Sequence, residues 1–215
     1  MVFIVRQERL DDVKRMRLME AAVEEFAERG FDAASYNKII ERSGLSKGTV
    51  YYYFDNKDSL FATTVEEICQ RFLHTIGDLR LPDTKEEYWA TAWEYHQRAI
   101  RFFSENPLPG RVMFRLSKDE PFFDEYLKNA HERATQFMSD LIARGQEIGA
   151  VRNDLPWETV HRLIHAMGRV LSSDIIEDRD VSLENDEIKA RIEKFMKMMH
   201  DLSKRILTPE EVRHV

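Results

Sequence analysis

The chain has 215 residues, 43% of them hydrophobic and 33% charged, with only eight glycines and six prolines. That supplies core material for one large domain or two small ones and excludes collagen-like, low-complexity and mostly disordered chains. The formal net charge is −7, of which residues 61–215 carry −6, so broad non-specific binding to nucleic acid is disfavoured and any DNA contact must use a small, locally positive surface.

The single cysteine, Cys69, allows no internal disulfide and no cysteine-rich metal site. No run of about 18 apolar residues could span a bilayer, and Met1 to Arg6 does not have the order of a secretory signal. The expected setting is the cytoplasm, with no membrane partner.

The periodicity is helical nearly throughout, which predicts an all-α fold of about nine helices. The first helix, about 11–29, carries Met16, Met19, Val23 and Phe26 on one stripe, and Gly30 is placed to stop it. Ser35 is a natural cap for a short second helix over 36–42, Gly44 breaks the chain, and Ser46 can cap a third helix over 47–54. Asn56 or Asp55 then caps a long fourth helix, about 57–79. A fifth, 84–105, puts Trp89, Trp93, His96, Ile100 and Phe103 on one side. The run Asn106 to Gly110 reads as a break before a short helix over 111–117. Pro121 suits the first turn of a seventh helix ending near Gly149, and its inner stripe includes Phe123, Tyr126, Phe137 and Leu141. An eighth helix opens after Pro156 and runs to about 176; a polar loop from Glu177 to Ser182 leads to a ninth over 183–206.

The second and third helices, joined by Ser43-Gly44-Leu45-Ser46, have the layout of a helix-turn-helix. At about 100° per residue, Val50, Tyr53 and Phe54 of the third helix share one sector. Lys47, Gly48, Tyr51 and Tyr52 share the opposite one, with Thr49 at its edge. Such an outer face is poorly suited to water, because glycine costs a helix about 1 kcal/mol relative to alanine and paired tyrosines do not serve solubility. It suits a DNA groove. Gly48 permits close approach, and Lys47 offers charge to a phosphate or a base edge. Thr49 can bond a phosphate or touch a thymine methyl, while Tyr51 and Tyr52 can donate to phosphates. Lys57, at the N-terminus of the fourth helix, can join them. Residues 35–57 hold four Lys/Arg against two Asp/Glu, locally +2 in an acidic chain.

The segments Glu25 to Phe31, Ser35, Ile39 and Gly44-Leu45-Ser46-Lys47-Gly48-Thr49-Val50-Tyr51-Tyr52-Tyr53-Phe54 through Phe61 resemble the N-terminal domain of the TetR family of transcriptional regulators. The resemblance covers about residues 12–72. It departs at Ile40 and Ser43, where the family usually has alanine. It implies a helix-turn-helix DNA-binding domain over 12–56, running to about 72 with the start of the fourth helix and with its motif at 35–54. A C-terminal ligand-binding and dimerisation domain would follow over 57–207. The implied DNA contacts add Ser35, Tyr36 and Ser46 to the outer face of the third helix.

Phe72, Trp89, Trp93, His96 and Phe103, together with Phe114, Phe123, Tyr126 and Phe137, are many large groups for one small bundle. A pocket for a mostly apolar ligand is lined in this way, and the resemblance implies such a cavity for a small-molecule effector. Val160, Ile164, Met167 and Leu171 on the eighth helix, and Ile188, Ile192, Phe195 and Met199 on the ninth, make two stripes suited to a four-helix bundle between two copies. Dimerisation fits the DNA reading, since two heads can occupy successive major grooves about 34–36 Å apart. His161 and His165, with Glu158 one turn earlier, have metal-capable spacing but no third partner, and no metal or cofactor is expected. No nucleophile motif or acid–base pair points to an enzyme.

The sequence thus predicts a homodimeric, ligand-responsive DNA-binding regulator, and the resemblance implies a repressor released from a palindromic operator by a small ligand. The alternative is a DNA-bound adaptor whose C-terminal domain recruits a protein.

Overall fold

The computed structural model describes residues 11–78, 80–116, 128–175 and 185–209. Among these residues every regular element is a helix: α1 Asp12–Ala33, α2 Tyr36–Ser43, α3 Lys47–Tyr53, α4 Lys57–Ile76, α5 Lys85–Glu105, α6 Pro107–Leu116, α7 Lys128–Glu147, α8 Trp157–Ile175 and α9 Asn185–Leu207. They form two compact units, Met1–Gln70 with Leu108–Lys128 and Arg71–Pro107 with Asn129–Val215, and the boundary falls within α4.

Local chemistry accounts for most helix ends. Ser35 and Ser46 cap α2 and α3 by accepting from the Lys38 and Thr49 backbone N–H groups. Asn56, not Asp55, caps α4: its Oδ1 accepts the Ser59 N–H at 2.8 Å. Gly44, at φ 65°, closes α2 in the left-handed conformation that side chains with a Cβ disfavour. Gly30 breaks α1 at φ 71°, yet one further turn continues to Ala33.

Two boundaries differ from the sequence expectation. α6 starts at Pro107 rather than near residue 111. Both Pro107 and Pro109 sit in its first turn, where no N–H has a partner within the helix, so proline's missing donor costs nothing there. α4 ends at Ile76, with Gly77 at φ 60° directly after it. The expected start of the seventh helix at Pro121 and the loop from Glu177 to Ser182 lie outside the described residues.

In the first unit α1 packs on α2. Leu18, Ala22 and Phe26 of α1, Ile39 and Ile40 of α2, Val50 of α3, and Leu60, Phe61 and Val65 of α4 are buried together. The Phe61 ring meets the edge of Phe26 at 4.6 Å and tilts against Phe31 at 4.9 Å. Full burial of each large apolar side chain is worth about 1.5–3 kcal/mol, so this small core is what holds the short helices α2 and α3 in shape. Met16 was expected inward but is 55% exposed; α1 is turned so that Leu18, Met19 and Glu25 face in. The departures at Ile40 and Ser43 are both accommodated. Ile40 is buried, and the buried Ser43 hydroxyl donates to the Ile40 carbonyl at 2.7 Å.

In the second unit α9 packs on α5 and on α8. The core gathers Tyr88 and Ala92 of α5, Leu141 and Ile142 of α7, Val160 of α8 and Leu207 of α9, with Ala150 and Val151 from the turn between α7 and α8. On α5 the fully buried stripe is Tyr88, Ala92, Ala99 and Phe102. It lies beside the predicted tryptophan stripe, because the small alanines let neighbouring helices come close while Trp89 and Trp93 remain half-buried. Four of the expected dimer residues turn inward: Val160, Ile192, Phe195 and Met199 are buried within this one chain, while Ile164 packs against the same core and Met167 is half-buried. Gly168 gives α8 room beside Met199, whose Cε lies 3.8 Å from where a Cβ would stand. The side chains of Leu171 and Ile188 lie outside the described set.

Gly145 on α7 has no space for a Cβ. An added carbon would collide with the Tyr88 ring and stand 2.6 Å from Val151 Cγ2, both buried. Gly145→Ala should therefore lower stability by about 1–3 kcal/mol despite alanine's better helix propensity, read as a lower urea midpoint with the helical circular dichroism retained.

Candidate nucleic-acid interface

The helix-turn-helix presents one face of α3 outward. Val50 and Phe54 are buried and Tyr53 is half-buried, while Lys47, Gly48, Tyr51 and Tyr52 are exposed and Thr49 is intermediate. The N-terminal turn is held by Ser46, whose Oγ accepts the Thr49 N–H at 3.1 Å and lies 2.8 Å from the Thr49 hydroxyl. Gly48 has no intramolecular explanation. Its φ is not positive, and a Cβ there would meet nothing closer than Ser46 Oγ at 4.0 Å. The fold would accept alanine at that position and gain helix stability from it.

Tyr36 and Lys57 are placed differently from the simple outward reading. The Tyr36 hydroxyl donates to the Phe54 carbonyl at 2.6 Å, and its ring meets the edge of Tyr51 at 5.3 Å. Burial, with Tyr51 and Asp55 nearby, drives its pKa upward. Tyr36 thus ties the first residue of α2 to the end of α3. The Lys57 ammonium donates to the carbonyls of Phe31, Asp32 and Ala34 at 2.6, 3.1 and 3.2 Å and sits 4.5 Å from the Phe31 ring centre. All three of its donors are used on the end of α1. Lys57 therefore fastens α4 to that end rather than reaching outward.

Three exposed residues beside this face were missed from the sequence. Asn37 and Lys38 lie on the outer side of α2, a position that follows once Ile39, Ile40 and Ser43 point inward. Arg17 of α1 lies over the turn, with its guanidinium against Gly44; no short motif signals that long-range contact.

In the second unit the predicted aromatic residues do meet. Phe72 stacks on Phe103 at 5.5 Å and meets Phe102 at 5.4 Å, while Tyr95 stacks on Phe137 at 5.4 Å. Trp93 contacts His96 at 6.2 Å, and both Trp89 and Trp93 contact His200, which the sequence reading did not single out. The His96 and His200 rings lie 5.6 Å apart, and each has a buried Nδ1 without a hydrogen-bond partner. Phe123 and Tyr126, and the side chain of Phe114, lie outside the described residues. Among the described residues no three His, Cys, Asp or Glu side chains gather as metal ligands, and no helix is long and apolar enough to cross a membrane.

Residues 18–64 match the family model for bacterial regulatory proteins of the TetR family. The HTH-type transcriptional repressor AcnR of Corynebacterium diphtheriae is 21% identical over 156 residues, 72% of this chain and 77% of that one. The HTH-type transcriptional regulator UidR of Escherichia coli is 26% identical over 174 residues, 79% of this chain and 85% of that one. Among solved structures, a TetR-family transcription regulator from Shewanella superposes with a TM-score of 0.71 at 17% identity, covering 92% of this chain and 99% of that one.

Burial, together with the neighbouring His200, pushes the pKa of His96 from 6.5 down to about 4. The folded protein thus holds this imidazole neutral where the unfolded chain would protonate it. The stability it protects is complete above about pH 6.5 and declines as the pH falls toward about 4. Unfolding by urea should be easier at about pH 5 than at neutrality, with His96 contributing on the order of 2 kcal/mol of the difference. His96→Gln, which cannot titrate, should flatten that dependence; an equally steep one in the variant would contradict the assignment.

Proposed function

With this chain a TetR-family transcriptional regulator, a DNA-binding protein and not an enzyme, we propose that it is a cytoplasmic homodimeric repressor which leaves a palindromic operator when a small, mostly apolar effector binds. The observation that carries the proposal is the outer face of α3. Lys47, Tyr51 and Tyr52 are exposed around a glycine that the fold itself does not require. In a major groove, Gly48 lets the backbone approach the base edges, and Lys47, Thr49, Tyr51 and Tyr52 supply donors to phosphates and bases. Ser35 and Ser46 bring the N-termini of α2 and α3 toward the phosphates, and the exposed Asn37 and Lys38 extend the contact. Tyr36 acts chiefly by bracing α3. Repression, as opposed to activation, is supported by the likeness to AcnR, a transcriptional repressor.

The DNA-binding domain is proposed to be 12–56, extending to about 72 along α4, with the ligand and dimer domain over 57–207. The effector would enter the aromatic bundle of the second unit among Phe72, Trp89, Trp93, His96, Phe103 and Phe137. Because α4 carries both Val65, in the first core, and Phe72, in the aromatic cluster, it is the proposed link between the two. An effector that binds better when α4 is displaced would lower operator affinity, since only such differential affinity shifts a population.

With Val160, Ile192, Phe195 and Met199 buried in their own chain, the dimer would instead use the outer faces of α8 and α9, where Leu163 and Ile206 are 42% and 44% exposed.

A duplex enriched from a random-sequence library by the parent protein provides the probe. Lys47→Ala should weaken binding to it by about tenfold and lower the slope of log affinity against log salt by about one. Gly48→Ala should bind more weakly while unfolding at a higher urea concentration. Equal affinity in both variants would remove α3 from the interface. Leu163→Glu should shift sedimentation from dimer to monomer at micromolar concentration; an unchanged dimer would exclude the outer face of α8.

A further inference from the structure

We propose that Glu25 is a positioning residue for DNA recognition: one buried carboxylate holds both ends of α2 against α1, and so sets the angle at which α3 meets the duplex. The inference rests on reading α3 as the DNA-contacting helix.

Glu25 lies in the middle of α1 and is 1% exposed. Its Oε1 accepts the Ser35 backbone N–H, at the N-cap of α2, at 3.0 Å. Its Oε2 faces the Arg42 guanidinium, in the last turn of α2, at 3.6 Å and has no hydrogen bond of its own. The same guanidinium donates to Glu28 at 3.2 Å and lies 3.9 Å from Glu24, both on the more exposed flank of α1. A single side chain of α1 thus reaches the start and the finish of an eight-residue helix. The constraint continues into α3, because Tyr36, next to Ser35, is bonded to the Phe54 carbonyl at the end of α3.

A buried carboxylate is a poor way to gain stability. Desolvating a charge is expensive, and well-packed apolar replacements of buried ion pairs are often neutral or stabilising. Here one oxygen even lacks a hydrogen bond. The surrounding positions Leu18, Ala22 and Phe26 already provide an apolar surface on which α2 could rest. Apolar packing alone fixes the separation of two helices better than their rotation, since side-chain ridges slide and re-seat. One hydrogen bond and one ion-pair contact, made by a single carboxylate at the two ends of α2, restrain the rotation as well. What Glu25 adds is therefore orientation, and its effect should appear in the discrimination between DNA sequences rather than in the stability of the fold.

The full chain serves for the test. The probes are the duplex enriched by the parent from a random-sequence library and poly(dI-dC) as non-specific DNA. Glu25→Leu removes both contacts at similar volume; Glu25→Gln keeps the acceptor for Ser35 and loses the charge that faces Arg42. For Glu25→Leu the expected result is affinity for the enriched duplex reduced at least about tenfold and affinity for poly(dI-dC) within about twofold of the parent. The urea midpoint should fall only modestly, because the Ser35 N–H loses its acceptor while Arg42 keeps Glu28. Glu25→Gln should fall between the two. Unchanged affinity for the enriched duplex in a folded Glu25→Leu protein overturns the proposal. So does a parallel loss of both affinities together with the urea midpoint, which marks a plain folding defect. If Glu25→Leu does not fold, Glu25→Gln decides: loss of affinity for the enriched duplex alone supports the proposal, and parent-like affinity overturns it. A parent protein that enriches no sequence refutes the reading of α3 itself, and the inference with it.

Discussion

A helix of seven residues cannot sustain itself in water, where the cost of nucleation exceeds what so few hydrogen bonds return. α3 exists because its surroundings hold it: Ser46 closes its first turn, Val50 is enclosed in the core of the first unit, and the Phe54 carbonyl at its end is taken by Tyr36. What holds α3 lies mainly on one side of it. The other side is mostly exposed, although Tyr51 meets the Tyr36 ring, and residues that would be poor choices in an ordinary surface helix occupy it. The face proposed to meet DNA is thus a by-product of how a very short helix is kept folded. The external scaffold of α1, α2 and α4 does the stabilising, and α3 is released to carry chemistry.

The same division of labour explains the placement of charge. The chain is acidic, and the positive character of residues 35–57 is small. Two of its four cations are spent inside the first unit, Arg42 on the glutamates of α1 and Lys57 on the carbonyls that end α1. The remaining two, Lys38 and Lys47, are exposed. A protein with so few outward cations cannot rely on electrostatic attraction alone to hold DNA. The proposed mode of binding therefore draws on shape and hydrogen bonding at the groove, and on the proposed duplication of the head in a dimer.

Much of the first unit was legible in the sequence because its signals are local. Ser35 and Ser46 announce helix starts, Gly44 announces a left-handed turn, and the spacing of Val50 and Phe54 separates the inner from the outer face of α3. What was not legible depends on contacts between residues far apart. Lys57 looks like a terminal cation with a free ammonium until α1 is seen to end within its reach. Met16 fits the wheel of α1 as well as Leu18 does, and only the position of the neighbouring helices decides which faces in. In the second unit, hydrophobic spacing identified α5, α8 and α9 but could not say which neighbour each stripe meets. The stripes of α8 and α9 fit an interface between copies equally well, yet Val160, Ile192, Phe195 and Met199 are consumed by one chain. His200 was invisible for the same reason, since nothing within α9 foretells two tryptophans of α5 against it.

The crowding around Gly145 bears on how the second unit can move. The close approach of Tyr88 and Val151 to this backbone leaves room for a hydrogen but not for a methyl group. A longitudinal slip of α7 by one residue would carry a neighbouring Cβ into the tyrosine ring. α7 and α5 are consequently keyed in a single register, as a notch keys a shaft. Sliding of α7 along Tyr88 is thereby opposed, whereas rocking about that contact would leave the notch filled.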